Sequence, residues 1–338
     1  MKSISIIIAT LNSGPILEKC LQSIRQQDYD QEKIEIIVAD GGSIDGTVEM
    51  VKKYKGKVVP ENTGSPEAAK SIALKHAQNE IILAMNDDTI LPNQNWIRYM
   101  VSFFDKEPGV TGCYTWRYTY KKNDQILSRY FALLGGNDPV ALFLNKADRQ
   151  SYLSSKWNLK GKAQDKGEYF LVEFDAKNLP TVGCNGFLIK RELLNKAKID
   201  PKFFFHIDVN LDLVNQGFNK YVVVKNDVWH SAGENVCHFL KKRLKYMETL
   251  YIRDFSKRRY FIYSHKDKKA NIRIIAFSLY AVTLILPTLT AIRGFLRVPD
   301  IAWFLHPIIC FSIFWIYAWT VIKWRIKLFL KRLSKVSS

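Results

Sequence analysis

Three short apolar runs, separated by helical stretches, constrain this chain more than any other feature. Residues 4–9 (ISIIIA), 34–39 (IEIIVA) and 80–85 (EIILAM) are brief, rich in isoleucine and valine, and bounded by polar or turn residues. Such runs read as strands buried on both faces. Residues 15–27 place Ile16, Leu17, Cys20, Leu21 and Ile24 on one helical face. Residues 45–54 open on Asp45 as a candidate N-cap, and residues 66–77 open on Ser65 and then Pro66, the cap-then-proline start of a helix. A βαβαβ order implies a parallel sheet with helices on its faces. Ligands of such sheets sit beyond the carboxyl ends of the strands. That rule points to Thr10, Leu11 and Asn12, to residues 40–43, and to Asn86, Asp87 and Asp88.

The chemistry available at those ends is polar and acidic. No GxGxxG and no GxxxxGK[ST] occurs, which argues against a dehydrogenase-type dinucleotide site and a P-loop. A nucleotide-sugar site needs what is present instead. An acid at a strand end accepts from a base N–H or a ribose hydroxyl. Glycines such as Gly41 and Gly42 let the backbone come close. A further carboxylate holds a divalent cation against the diphosphate leaving group. Asp87 and Asp88 are adjacent, so in extended chain they face opposite ways, one toward a ribose and one toward a metal. Five scattered cysteines without a CxxC argue against a disulfide framework or a zinc knuckle.

The segments 6–12 (IIIATLN), 38–47 (VADGGSIDGT) and 83–92 (LAMNDDTILP) resemble, in order and spacing, the donor-site signatures of the family 2 glycosyltransferases of the GT-A fold. Residues 183–191 (GCNGFLIKR), 204–211 (FFHIDVNL) and 228–230 (VWH) extend the likeness to about residue 235. The resemblance implies that Thr10, Leu11, Asn12, Asp40, Gly42, Ser43 and Asp45 hold the nucleotide, that Lys70 approaches the diphosphate, and that Asp87 lies near the ribose. It implies Asp88 and His230 as metal ligands for Mg2+ or Mn2+, Asp208 as catalytic base, and Gly183, Asn185 and Gly186 on the acceptor side. Three positions depart from the family pattern: Asn86 replaces the first Asp of the metal motif, Ile207 replaces a common Glu, and Asn210 replaces a frequent acid. The Gln-x-x-Arg-Trp signature of processive synthases is absent, which disfavours polymerisation with export.

Charge divides the chain. Residues 1–235 carry 30 Lys and Arg against 28 Asp and Glu, whereas residues 236–338 carry 20 against 4. Within the basic part, residues 274–292 and 301–322 contain no charged residue. Each run approaches the length of a helix that crosses a hydrocarbon core. Trp303, Trp315, Tyr317, Trp319 and Trp324 suit an interfacial aromatic belt. The short connection 293–300 makes the two runs a hairpin. Flanking bases, among them Lys323, Arg325, Lys327, Lys331, Arg332 and Lys335, put both ends on the cytosolic side. Before the runs, Phe239, Leu240, Leu244, Met247, Leu250 and Tyr251 recur at helical spacing among lysines and arginines, the pattern of a helix in the headgroup plane. Lys257, Arg258 and Arg259 suit anionic lipid. The opening MKSISIIIATLN reads as a strand rather than a signal peptide.

The expected architecture is α/β: a GT-A, Rossmann-like, mostly parallel sheet flanked by helices over residues 1–235, with the donor half reaching about residue 105 and the acceptor half following. An amphipathic interfacial segment at 236–271, a transmembrane hairpin at 272–323 and a basic cytosolic tail at 324–338 complete it. The expected protein is a multi-pass, cell-membrane, inverting, metal-dependent glycosyltransferase. It would move a sugar from a nucleotide-sugar donor to a lipid-linked, polyprenyl-type sugar or glycan. The alternatives are a polyprenyl-phosphate glycosyltransferase and, more distantly, a non-catalytic membrane scaffold on the same fold. The basic charge lies beside spanning segments rather than on a readable helix, so no nucleic-acid partner is expected. These motifs specify neither the sugar nor an oligomeric state.

Overall fold

β1 (Ile4–Thr10) has all seven residues buried, as a strand covered on both faces must. The structure, a computed structural model, describes all residues except 63, 201, 203, 233, 234, 337 and 338. After β1 come α1 (Gly14–Arg25), β2 (Ile34–Asp40), α2 (Thr47–Lys53), β3 (Lys57–Pro60), α3 (Pro66–His76) and β4 (Ile81–Asn86). They alternate as the sequence periods predict. β5 (Thr89–Ile90), α4 (Trp96–Lys106), β6 (Gly112–Tyr118), α5 (Ile126–Leu134), α6 (Pro139–Phe143), β7 (Lys162–Asp165), β8 (Tyr169–Glu173), β9 (Phe187–Lys190), α7 (Arg191–Leu194), α8 (His206–Asn215) and β10 (Lys220–His230) follow.

The sheet runs β3-β2-β1-β4-β9-β6-β10-β8-β7, with β5 paired to β10. β1 is parallel to both β2 and β4, the expected donor half. β9 then enters antiparallel between β4 and β6, which makes the sheet mixed. The resulting α/β sheet is GT-A-like, with helices on its faces. α4 covers it with Trp96, Ile97, Met100, Val101, Phe103 and Phe104, all buried at one-face helical spacing. Each contributes about 1.5–3 kcal/mol of hydrophobic stabilisation.

The chain splits into two compact units, Met1–Asn137 with Asn145–Gly233, and Asp138–Leu144 with Glu234–Ser338. α6 therefore groups with the C-terminal helices rather than with the sheet. In that second unit lie α9 (Val236–Tyr246), a π-helical turn at Met247–Arg253, α10 (Lys268–Thr283), α11 (Ile285–Arg297) and α12 (Leu305–Val336). Asn235 caps α9 by accepting from the His238 N–H at 2.9 Å, and Asp267 caps α10 by accepting from the Lys269 N–H, also at 2.9 Å.

Here the sequence expectation needs correction. Residues 274–292 are not one straight helix. The backbone turns at Leu284 (φ 56°), and α10 and α11 meet at 84°. Hydropathy sees only that the run is apolar, so a break inside it leaves no mark. Among the described residues one helix, Ile301–Leu330, is long and apolar enough to cross a membrane. The bent pair is a broken span or a re-entrant loop, so the expected hairpin of two straight spans is not shown. Trp303 is no belt residue either. It is fully buried against Gly294, where a Cβ would come within 2.3 Å of the indole. Trp315, Trp319 and Trp324 are exposed. Lys331, Arg332 and Lys335 lie outside the residues whose side chains the structure describes.

Candidate active site

The parallel register sets the three donor-half strand ends side by side. Thr10 pairs with Asp40 across β1 and β2, and Ala9 pairs with Asn86 across β1 and β4. The loop after β2 is shaped from within. Asp40 Oδ2 accepts from the N–H groups of Gly42 (3.0 Å) and Ser43 (2.9 Å), and Oδ1 accepts from Ser43 Oγ (2.5 Å). Gly42 has φ 92°, a conformation that favours glycine. Ser43 Oγ accepts from the Asn12 N–H at 2.8 Å, and Asn12 Oδ1 accepts from the Ile44 N–H at 3.0 Å. Asp45 accepts from the Gly14 N–H (3.1 Å) and from the N–H (3.2 Å) and hydroxyl (2.5 Å) of Thr47. The Thr47 hydroxyl first, with these N–H groups, holds the Asp45 carboxyl below its ordinary value. The carboxylates of Asp40 and Asp45 thus fix the backbone of the donor loop. Leu11 and Ile44 stand exposed beside it.

Asp87 and Asp88 diverge as adjacent residues should. Asp87 Oδ2 accepts from Thr10 Oγ1 at 3.2 Å and, at shorter range, from Ser13 Oγ, which ties the end of β4 to the end of β1. Asp88 turns the other way. β5 pairs antiparallel with the end of β10, with Thr89 opposite His230. The Ser231 N–H donates to the Asp88 carbonyl at 2.9 Å, and His230 Nε2 lies 3.3 Å from Asp88 Oδ2. The thiol of Cys20 is pushed well up by burial first and then by the charges of Asp87 and Asp88.

The glycine-containing segment forms the next wall. Gly183 (φ 137°) leaves no room for a side chain: a Cβ would lie 2.9 Å from the His206 carbonyl and from Asn210 Nδ2. Asn185, itself at φ 52°, accepts through Oδ1 from Asn86 Nδ2 (2.7 Å) and donates to the Tyr118 hydroxyl (3.0 Å). Asn86 Oδ1 also accepts from the Cys184 thiol at 3.1 Å. An amide can donate and accept at once, so Asn86 locks this segment to the end of β4, work a carboxylate could not do. Asn210 is buried too. It donates to the His206 carbonyl (2.9 Å) and accepts from the Tyr221 hydroxyl (3.0 Å), a packing role.

A cleft of only about 30 Å³, room for roughly one or two waters, lies beside this segment; its lining is mostly apolar, with Ile7, Leu74, Phe187 and Phe204 among others, and Lys70, Gly183, His206 and Asn210 are its polar side. His206 Nδ1 lies 2.7 Å from Glu67 Oε2, a carboxylate-oriented imidazole. Burial pushes the Cys184 thiol up, and the Lys70 ammonium opposes that shift. Asp208, in the first turn of α8, is fully buried and does not line the cleft.

Sequence reasoning missed Asp148. It is mostly buried, paired at 2.7 Å with Arg149, whose guanidinium also donates to the Asn185 carbonyl at 2.9 Å. Burial raises its carboxyl above the ordinary value, while Arg149, then His206 and His230, pull it down. Asp148 therefore lies within electrostatic reach of both histidines. A lone Asp-Arg dipeptide gives no local signal of such a place. Ser13 and Glu67 were likewise invisible until the fold set them against Asp87 and His206. Among the described residues no group of three or more His, Cys, Asp or Glu forms a metal cluster. Asp88 with His230 is a two-residue donor set. It fits a divalent cation that takes its other ligands from a diphosphate and water.

Residues 5–196 match the family described as Glycosyl transferase family 2. The chain is 25% identical over 162 residues to the poly(ribitol-phosphate) beta-N-acetylglucosaminyltransferase TarS of Staphylococcus aureus, covering 46% of this chain and 26% of TarS. It is 31% identical over 125 residues to the dolichyl N-acetyl-alpha-D-glucosaminyl phosphate 3-beta-D-2,3-diacetamido-2,3-dideoxy-beta-D-glucuronosyltransferase of Methanococcus voltae, covering 33% of this chain and 38% of that protein. Both alignments span well under half the length of these relatives. Among solved structures, the mannosyltransferase PcManGT of Pyrobaculum calidifontis, in complex with GDP-Man and Mn2+, superposes with a TM-score of 0.52 at 16% identity, over 94% of this chain and 87% of that one. The matched family region contains β1 to β4, the Asp40 loop, Asp87, Asp88 and the 183–186 segment, and the chain belongs to glycosyl transferase family 2.

Proposed function

We propose that this chain is a nucleotide-sugar glycosyltransferase that uses a divalent cation and inverts the anomeric centre, delivering its sugar to a lipid-linked acceptor at a membrane. The observation that carries the donor reading is the continuous line of contacts along one sheet edge. Asp40 pairs in register with Thr10, Thr10 donates to Asp87, and the next residue, Asp88, meets His230. The pre-shaped loop offers backbone to a nucleotide. Asp88 and His230 would hold the cation, which when bound neutralises the diphosphate as leaving group. The buried Lys70 supplies a positive charge of the protein's own at the neighbouring cleft.

Attack by an acceptor hydroxyl needs a base aligned with the anomeric carbon. The family position gives that role to Asp208. A second reading rests on a specific observation: Asp208 is fully buried, whereas His206, oriented by Glu67, keeps 20% of its side chain exposed. Asp208→Asn and His206→Asn separate the two, because loss of the base lowers turnover by roughly 10²–10⁴-fold. Normal turnover in both variants would favour an anionic phosphate acceptor, which needs no base, and would make the protein a polyprenyl-phosphate glycosyltransferase.

The acceptor reading rests on the second unit. Ile301–Leu330 is long and apolar enough to span a bilayer, and the basic residues around it suit a cytosolic, anionic leaflet. Tethering raises the effective concentration of a lipid-bound acceptor. The Methanococcus voltae relative is named for a dolichyl phosphate-linked sugar acceptor. Calorimetry of the full chain in detergent, with UDP, GDP and dTDP with and without Mn2+, tests the donor site. Metal-dependent binding of one of them is expected. Heat from none of them, under either condition, would leave the scaffold alternative standing and the enzyme reading refuted.

A further inference from the structure

At the far side of the sheet from β3, a cavity of about 370 Å³ lies among β6, β7, β8, β10 and residues 155–157. None of the donor-loop residues, nor Asp88, His230 or His206, lines it. Its size falls within the range of small-ligand sites. Its walls are aromatic. Trp116 meets Phe170 edge-on at 5.5 Å between centroids, and Trp157 packs on the same Phe170 at 4.9 Å. Its rim is charged. Lys225 Nζ sits 4.5 Å over the Phe170 ring and 2.6 Å from Asp165 Oδ1, and the exposed Lys156 stands beside them. The Arg117 guanidinium covers the Trp116 ring at 4.4 Å, and Trp157 is half-buried.

A pyranose ring matches this combination. Its axial C–H bonds make an apolar face that stacks on an aromatic ring, while its equatorial hydroxyls donate and accept around the edge. Lys225, Asp165 and Lys156 supply partners for those hydroxyls. Trp116 also lies two residues before Tyr118 on β6, so both point to the same face, roughly 7 Å apart along the strand. Tyr118 bonds Asn185 and stacks against His230 at 5.5 Å. We infer that this cavity is a pyranose-binding subsite for a sugar unit of the acceptor glycan, set off from the reaction centre along β6. The inference rests on the glycan-acceptor reading given under the proposed function, and it fixes which part of the acceptor the protein reads.

The test uses the full chain in detergent and saturation-transfer NMR with soluble oligosaccharides of gluco, galacto, manno, N-acetylhexosamine and uronic type. At least one is expected to bind, to remain bound with UDP and Mn2+ present, and to bind about tenfold more weakly to Trp157→Ala. UDP binding is the control for folding. Should Trp157→Ala lose UDP binding as well, Lys156→Ala, at an exposed rim residue, carries the same comparison with an expected loss of about threefold. Transfer to none of the sugars, displacement by UDP, or binding indifferent to the informative variant would overturn the subsite. Glycan binding at Trp157 in a protein that binds no nucleotide would instead refute the donor reading and leave the subsite intact.

Discussion

Replacing Asp40 by Asn tests whether that carboxylate shapes the donor loop. The wild-type group accepts two backbone N–H bonds at 3.0 and 2.9 Å and the Ser43 hydroxyl at 2.5 Å. Asparagine is isosteric and can keep its carbonyl oxygen at the Oδ2 position, so both backbone bonds survive with a neutral acceptor. Hydrogen bonds to a charged group contribute roughly 1.5–3 kcal/mol, and neutral ones roughly 0.5–1.5. The loss is about 1 kcal/mol for each of the two bonds, or about 2 kcal/mol for opening the loop. The third contact changes polarity, because the amide now donates to Ser43 Oγ. Amide-resolved hydrogen exchange reads the outcome directly. Gly42 and Ser43 should exchange roughly thirtyfold faster, since 1.4 kcal/mol is a factor of ten. Asn12, whose N–H donates to Ser43 Oγ at 2.8 Å, should follow in part. The ladder amides of β2 between β1 and β3 should stay unchanged. Unaltered exchange at Gly42 and Ser43 would refute the reasoning, and so would uniform acceleration through β2, which would mean global destabilisation.

Other outcomes follow from the same coordinates. Gly183→Ala places a Cβ 2.9 Å from the His206 carbonyl at a φ of 137°, so it should destabilise the sheet unit by about 2 kcal/mol or more, seen as a lower urea midpoint. Gly294→Ala drives a Cβ to 2.3 Å from the Trp303 indole and should loosen the packing of α11, lowering the thermal midpoint of the protein in detergent while nucleotide binding persists. Asp148 carries a pH signature. Burial raises its folded-state carboxyl, so the native chain keeps a proton that the unfolded chain has already released, and stability on this account falls as pH rises from the ordinary aspartate value through the raised one. Asp148→Asn should flatten that part of the profile, above the ordinary aspartate value, and an unchanged slope in urea midpoints would show that Arg149 had cancelled the shift.

Much of the donor half was legible because its signals are local. An isoleucine-rich run such as that of β1 reads as doubly buried wherever it sits, and a strand end that is polar advertises an edge facing a ligand. The sequence by itself therefore determined the alternation of β1 to β4 with α1 to α3 and the placing of Asp40, Asp87 and Asp88 at strand ends. Other features depend on contacts between residues far apart in the chain, and nothing near them in sequence encodes the pairing. Only the tertiary structure set β9 antiparallel between β4 and β6, brought His230 to Asp88 through the β5–β10 ladder, joined His206 to Glu67 and buried Asp148 against Arg149. The apolar run that breaks at Leu284 failed for a related reason: hydropathy measures how well a segment tolerates a dry environment and carries no information about its backbone angles. Composition and periodicity report each residue's preference for water or burial, whereas the partner it meets is decided by how the whole chain closes.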